Sequence, residues 1–232
     1  MNMDAADVHQ QHPYRPAGMS VAGYRPNETQ LWILAGGFGV MINIFLAAGV
    51  KLLVRMKTLT RGEELTICWF LLNGFLHCFF EGYYITNYDN LAGSQHLFAQ
   101  LWKEYAQSDS RYMLKQTFVL TIEFLTVVIL GPLSFLTAIC IARHSSIRHL
   151  VQVVVSVAHL YGVALYYGTC IVDERRSGQG YSRPEFLYFW VYYVGFNSPW
   201  VFVPSFLLYQ SSHAIQRAFE VSERLTEVQK RK

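Results

Sequence analysis

In the stretch HCFFEGYY, residues 77–84, a histidine and a glutamate stand four residues apart inside a segment otherwise fit for lipid. A centred ionisable side chain costs roughly 2.5–3.5 kcal/mol in a bilayer, so something must compensate for both. Only two acids lie well inside the long apolar runs, Glu81 and Glu123. On a helix Asn73, His77 and Glu81 recur at i, i+4 and i+8 and form one narrow stripe. Gln152, Ser156, His159 and Tyr166 share a face by the same arithmetic, and Tyr193, Asn197 and Trp200 fall at i, i+4 and i+7. Such stripes are best satisfied by facing one another around an enclosed cavity. Asn73, Gln152 and Ser156 are equally at home as interhelical hydrogen-bond formers, worth about 0.6 kcal/mol each. A His–Glu pair with a second acid is harder to explain by packing, which apolar residues could do alone.

A histidine beside a carboxylate is a tunable proton donor or acceptor. Of two buried carboxyls, one can hold a proton and act as an acid. An aromatic face can steady a developing cation without capturing it. The sequence has no GxSxG, HExxH, dinucleotide fingerprint, haem-attachment motif or phosphate loop. What remains is proton addition and removal on a lipid-soluble substrate, moving a double bond through a carbocation, with no cofactor and no metal expected.

The elements that must position these residues are membrane helices. Hydrophobic residues make up 52% of the 232 and charged residues 15%, against about a quarter charged in soluble domains. Five apolar runs, 31–50, 65–87, 117–142, 150–172 and 186–210, reach the length of about 20 residues that a spanning helix needs. They are continuous, too long for strands and without alternation, so the fold class is all-α: a polytopic membrane protein with five helices around an intramembrane ligand cavity. Gly131-Pro132 is expected to kink the third run. Residues 1–30 read as a polar arm with no signal peptide, 31–210 as the membrane domain and 211–232 as a basic tail. Eleven of the nineteen Lys and Arg lie in loops 55–64 and 143–149, in the tail and at Lys51. That bias places the C-terminus in the cytoplasm.

The longest connection, 88–116, contains HLFAQLWKEYAQ. Leu97, Leu101, Trp102 and Tyr105 can share a helical face there, with Lys103, Glu104 and Gln107 elsewhere. An interfacial helix or a solvated loop with aromatic anchors fits equally. Cys68, Cys78, Cys140 and Cys170 have no CxxC spacing and read as small buried residues. The net charge of +3 is too small and dispersed for nucleic acid. Gly36, Gly37 and Gly39 leave a homodimer open without a GxxxG motif to specify it.

At these residues the sequence resembles the emopamil-binding protein family, the sterol Δ8–Δ7 isomerases built on the EXPERA domain. The matching pieces are HPYRP at 12–16, HCFFEG at 77–82, LWKEYAQSDSRY at 101–112 and TIE at 121–123. GPLS at 131–134, VSVAHLYG at 155–162 and LYFWVYYVGFNSPW at 187–200 complete the set. The resemblance implies protonation of a sterol 8(9) double bond at C9 and loss of a proton from C7. It implies His77, Glu81 and Glu123 as the proton-handling groups and Asn197 and Trp200 beside the substrate, Trp200 steadying the cation. Tyr193, Trp102, Tyr105 and His159 are further candidate substrate contacts. The resemblance also implies an endoplasmic reticulum membrane and a cavity that accepts hydrophobic amines as mimics of the cation.

His159 stands where relatives more often have glutamine, Val163 where some have aspartate, and Ser198-Pro199 between Asn197 and Trp200 where relatives differ. These departures bear on the substrate more than on the reaction. An isomerase of another polycyclic terpenoid, a non-catalytic sterol- or amine-binding protein, and a proton-coupled transporter are the competing readings.

Overall fold

The computed structural model describes residues 12–55 and 58–231, so the first eleven residues of the arm and the last of the tail lie outside it. The chain is helical, and no strand occurs among the described residues. Helix α1 is Leu31–Val54. Helix α2 runs Arg61–Thr86 and contains a π-helical stretch, Leu76–Glu81. Helix α3 is the short Leu97–Tyr105. Helix α4 runs Thr117–Ala142 with a π-helical stretch at Thr126–Leu130, and α5 is Arg148–Ser177. The π-helical α6, Leu187–Phe196, leads through Asn197 and Ser198 into α7, Pro199–Lys230. Four of these helices, α1, α2, α4 and α5, are long and apolar enough to cross a membrane. The fifth apolar run is helical but divided, because Pro199 begins a new helix within it.

Local chemistry accounts for the boundaries. Helix α2 starts on a capping box: Thr60 Oγ1 accepts from the Glu63 N–H at 3.3 Å, and Glu63 Oε2 accepts from the Thr60 N–H at 2.9 Å. Helix α5 stops at Gly178, which takes the left-handed φ of 70°. The π-helical stretch of α4 ends just before Gly131-Pro132. Proline has no N–H to give the preceding turn, so the expected kink takes the form of a widened turn.

Helix α2 packs on α4, and α5 on α7, while α1 leans mainly on α2 and α3. Gly131 is required where α4 meets α2. A Cβ there would come within 2.4 Å of Cys78 Sγ and 3.3 Å of His77 Cβ. One apolar cluster, with Ile67, Phe70, Ile141, Val155 and Leu207, fills the bundle. A second joins Tyr84 and Tyr166 to Trp102 and Tyr112 of the 88–116 connection and to Tyr14 and Tyr24 of the arm.

The 88–116 connection is therefore neither a solvated loop nor a simple surface helix. Gln100, Lys103 and residues 107–112 are buried, and the arm folds over them. The Tyr14 hydroxyl donates to the Lys103 carbonyl at 3.1 Å, and Lys103 Nζ to the Arg25 carbonyl at 2.8 Å. Lys103, set apart from the apolar face in the sequence reading, points into this cap. The four cysteines are free thiols, two of them buried.

Candidate active site

A cavity of about 610 Å³ opens between α1, α2, α3, α4, α5 and the α6–α7 junction. All three π-helical stretches border it: Leu76, His77, Phe80 and Glu81 from α2, Thr126 and Leu130 from α4, and Tyr192, Gly195 and Phe196 of α6. Such widened turns recur at functional sites because they re-aim side chains that a regular helix would hold elsewhere.

The sequence-predicted acids converge here. His77 Nδ1 lies 2.8 Å from both Glu81 oxygens, so the ring and the carboxyl are hydrogen-bonded to each other. His77 Nε2 is 3.1 Å from His159 Nε2, across from α2 to α5. One of the two rings must therefore donate to the other. Glu123, buried on α4, accepts from the Tyr112 hydroxyl at 2.7 Å, and its carboxyl neighbours that of Glu81. A chain of polar groups thus runs from Tyr112 through Glu123, Glu81 and His77 to His159, with both carboxyls and both imidazoles on the cavity wall.

The aromatic wall is equally fixed. Trp200 donates its Nε1–H to Asn73 Oδ1 at 2.7 Å, and Asn73 Nδ2 donates to the Trp69 carbonyl at 2.7 Å. The Trp69 and Trp200 rings lie 5.4 Å apart. Trp102 stacks on Phe80 at 4.5 Å and donates to the Phe80 carbonyl at 3.0 Å. Asn197 Nδ2 reaches the Tyr105 hydroxyl at 3.3 Å and the Tyr193 carbonyl at 2.9 Å. A hydrogen-bonded cluster of carboxyls and imidazoles and an ordered indole therefore face one apolar space, an arrangement suited to making and quenching a carbocation.

His77, Glu81, Glu123, Asn197, Trp200, Trp102, Tyr105 and His159 all line the cavity. Tyr193 is not among the lining residues; its ring packs on Tyr166, Tyr167 and Phe189, and its neighbour Tyr192 takes the place at the wall. The π-helical turn explains the difference, because it shifts the face that i, i+4 counting assigns. Asn73 acts as the interhelical hydrogen-bond former that its residue type allows. Polar lining residues not singled out from spacing include Tyr112, Thr126, Glu104 and Tyr192. Tyr112 and Glu104 belong to the LWKEY and DSRY strings, which carried the signal without the roles. Among the described residues no group of three or more His, Cys, Asp and Glu could hold a metal ion.

Residues 97–211 match the EBP family, EXPERA (EXPanded EBP superfamily). The chain is 36% identical over 204 residues to the 3-beta-hydroxysteroid-Delta(8),Delta(7)-isomerase of Rattus norvegicus, covering 86% of each. It is 37% identical over 172 residues to the isomeliandiol synthase of Melia azedarach, covering 74% of this chain and 78% of that protein. It is also 37% identical over 169 residues to the protoglabretal synthase of Citrus sinensis, covering 72% and 77%. The polar chain on the cavity wall is thus carried by a framework shared along most of the sequence, and the protein belongs to the EBP (EXPERA) family.

Proposed function

We propose that the protein is a cofactor-free sterol Δ8–Δ7 isomerase whose reacting groups are His77, Glu81 and Glu123. The observation that carries this reading is the convergence of Glu123 and the hydrogen-bonded His77–Glu81 pair on the wall of one apolar cavity. A proton from the carboxyl pair adds to C9 of the 8(9) double bond. The electron pair of that bond forms the new C9–H bond and leaves a cation at C8. The C7–H bond then gives its electrons to form the 7(8) double bond, and its proton returns to the carboxyl pair. No electron is gained or lost, so no oxidant or reductant is needed. His77 aligns Glu81 through Nδ1, and the Trp200 face steadies the cation. Because Glu81 and Glu123 act as a coupled unit, donor and acceptor belong to the pair.

The experiment is conversion of a Δ8-sterol in deuterated water by membranes with and without the protein. Formation of the Δ7 isomer with one deuterium at C9 is the expected result. Absence of conversion of every Δ8-sterol, with hydrophobic amines still bound, overturns it in favour of a binding protein. A second reading, rearrangement of a plant-type triterpenoid, is favoured by one observation. The relatives named isomeliandiol synthase and protoglabretal synthase match at 37%, as high as the rat isomerase. Conversion of a tetracyclic triterpenoid in place of any Δ8-sterol would select it.

The same proposal places the protein in the endoplasmic reticulum membrane, with five crossings and the C-terminus in the cytoplasm. The asymmetry of Lys and Arg supports that orientation. It also makes hydrophobic amines competitive inhibitors, since an ammonium beside Glu81 and Trp200 resembles the C8 cation.

A further inference from the structure

His159 brings a second imidazole to the acid cluster, and the proton transfers assigned to His77 and the carboxyls leave it without a part. The ring is buried on α5 and lies along the cavity wall. Its centroid is 5.3 Å from that of His77, and Trp69 meets it edge-on at 6.4 Å. Its Nε2 is 3.1 Å from His77 Nε2. Its Nδ1 is buried without a hydrogen-bond partner. Neither nitrogen is therefore offered to a guest, since one is taken up by His77 and the other is shut away from the cavity. The surroundings of the two rings decide which of them donates.

A neutral imidazole carries one N–H and one bare nitrogen, and a charged one carries two N–H groups. A proton on His159 Nδ1 would be a buried donor with no acceptor, and a charged ring would add an unpaired charge to that cost. Orphaned N–H groups are rarer in folded proteins than under-used acceptors. We propose that His159 is a positioning residue: it donates from Nε2 to His77 Nε2 and thereby sets the tautomer of His77. His77 Nε2 is then bare, and the His77 proton sits on Nδ1, 2.8 Å from each Glu81 oxygen. Glu81 receives it as a carboxylate. A His77 ring with protons on both nitrogens is excluded by the same step, because His159 would have to keep its own proton on Nδ1. The tautomer of a histidine follows from the partner of its other nitrogen, and here that partner lies 82 positions along the chain. The inference rests on the isomerase reading for its catalytic consequence alone. A His77 ring free to hold its proton on Nε2 would turn a lone pair towards Glu81, which would meet it as a protonated acid. One carboxyl of the pair would then be lost as a proton acceptor.

Two measurements on the full chain test the assignment. The first needs no turnover: nitrogen NMR of the protein in lipid with 15N-labelled histidine, the His77 ring being identified by the signals that His77→Gln removes. The unaltered protein should show a neutral His77 with Nδ1 protonated and Nε2 bare. His159→Leu should convert it to a mixture of both tautomers. A protonated His77 Nε2 in the unaltered protein overturns the assignment, as does an unchanged His77 signal in His159→Leu. The second measurement is turnover of a Δ8-sterol by variants at this one position. His159→Leu has no donor and should lower kcat about tenfold with little change in KM, because the loss falls on the reacting groups and not on uniform binding. His159→Gln sets an amide N–H near the place of Nε2 and should recover most of that turnover. His159→Asn, whose amide reaches only to the place of Nδ1, should not. Equal kcat in the Gln and Asn variants overturns the positioning role in favour of packing. Failure of the isomerase reading looks different: the unaltered protein then converts no Δ8-sterol, and the nitrogen spectra still decide the tautomer.

Discussion

Two buried ionic centres lie within this one molecule, and their difference lies in how completely each is satisfied. In the cap, Asp109 and Arg111 have no exposed side-chain surface. Arg111 Nε and Nη2 grip the two Asp109 oxygens at 2.9 and 2.7 Å. Its Nη1 reaches Thr169 at 2.7 Å, its Nη2 reaches the Tyr166 carbonyl at 3.2 Å, and its plane lies over the Tyr166 and Tyr181 rings. Four of the five guanidinium N–H groups have partners, and Arg111 is not among the residues lining the cavity. In the bundle, His77, Glu81 and Glu123 also hold one another, but they form part of a cavity wall and keep carboxyl surface for a guest. A nearly saturated buried pair ties three segments together. An incompletely satisfied one leaves polar surface on the cavity wall for a guest to meet.

The largest effects should come from exchanging charge for its isostere in each centre. Glu81→Gln or Glu123→Gln should cut turnover by about 10²–10⁴-fold, the share that general acid–base groups commonly contribute. The variants should still reach the membrane and melt within a few degrees of the parent. Near-normal turnover by either variant would remove that residue from the mechanism. Arg111→Met should do the reverse, losing about 3–5 kcal/mol because Asp109 is left charged and alone. Adding Asp109→Asn should recover part of the loss. An Arg111→Met protein with parental stability and reduced activity would dissolve the distinction between the two centres.

A middle-sized effect belongs to the indole. Trp200→Ala removes both the π face and the donor to Asn73, and should weaken turnover and amine binding together. A desolvated cation–π contact is worth about 2 kcal/mol, or roughly thirtyfold. Trp200→Phe keeps a weaker face and should lie between the parent and the alanine variant. Equal loss in both would assign Trp200 to packing through Asn73.

Residue type and spacing made the bundle legible because a helix in lipid has little freedom. Long apolar runs can only be helices there, and an acid such as Glu81 or Glu123 must face inward. Eight of the nine site residues named from the sequence line the cavity on that logic. Tyr193 does not, because its segment is π-helical and counting by 3.6 assigns the wrong neighbour. The division at Asn197–Ser198 was foreshadowed by Pro199. The cap was much harder to read. Lys103 and Gln107 look like solvent-facing residues of an amphipathic turn, yet both are buried, Lys103 under the arm through Tyr14 and Arg25 and Gln107 against Arg183. Nothing in a local window encodes the partner that a distant arm provides. Glu104 was lost for the same reason, since its hydrogen bonds run through Gln107 to Arg183, 79 positions along the chain.

The smallest effect tests that cap through pH. Burial, helped by the nearby Arg25 charge and opposed by Glu28, pushes the Lys103 ammonium down to about 8. In the unfolded chain a lysine holds its proton to about 10.4. Between these values the unfolded state binds the proton and the folded state does not, so the Lys103 contribution to stability rises with pH across that window. Below about 8 both states are charged, and the full cost of the buried ammonium is present at a constant level. Lys103→Met has no such group. Tyr14 and Tyr24, held above the ordinary phenol range chiefly by burial, act in the opposite sense at higher pH but are common to both proteins. The parent should therefore gain a few degrees in Tm relative to Lys103→Met between pH 7.5 and 9.5. Parallel melting curves across that range would mean that Lys103 reaches water in the folded protein. The cap would then be a looser lid than its hydrogen bonds describe.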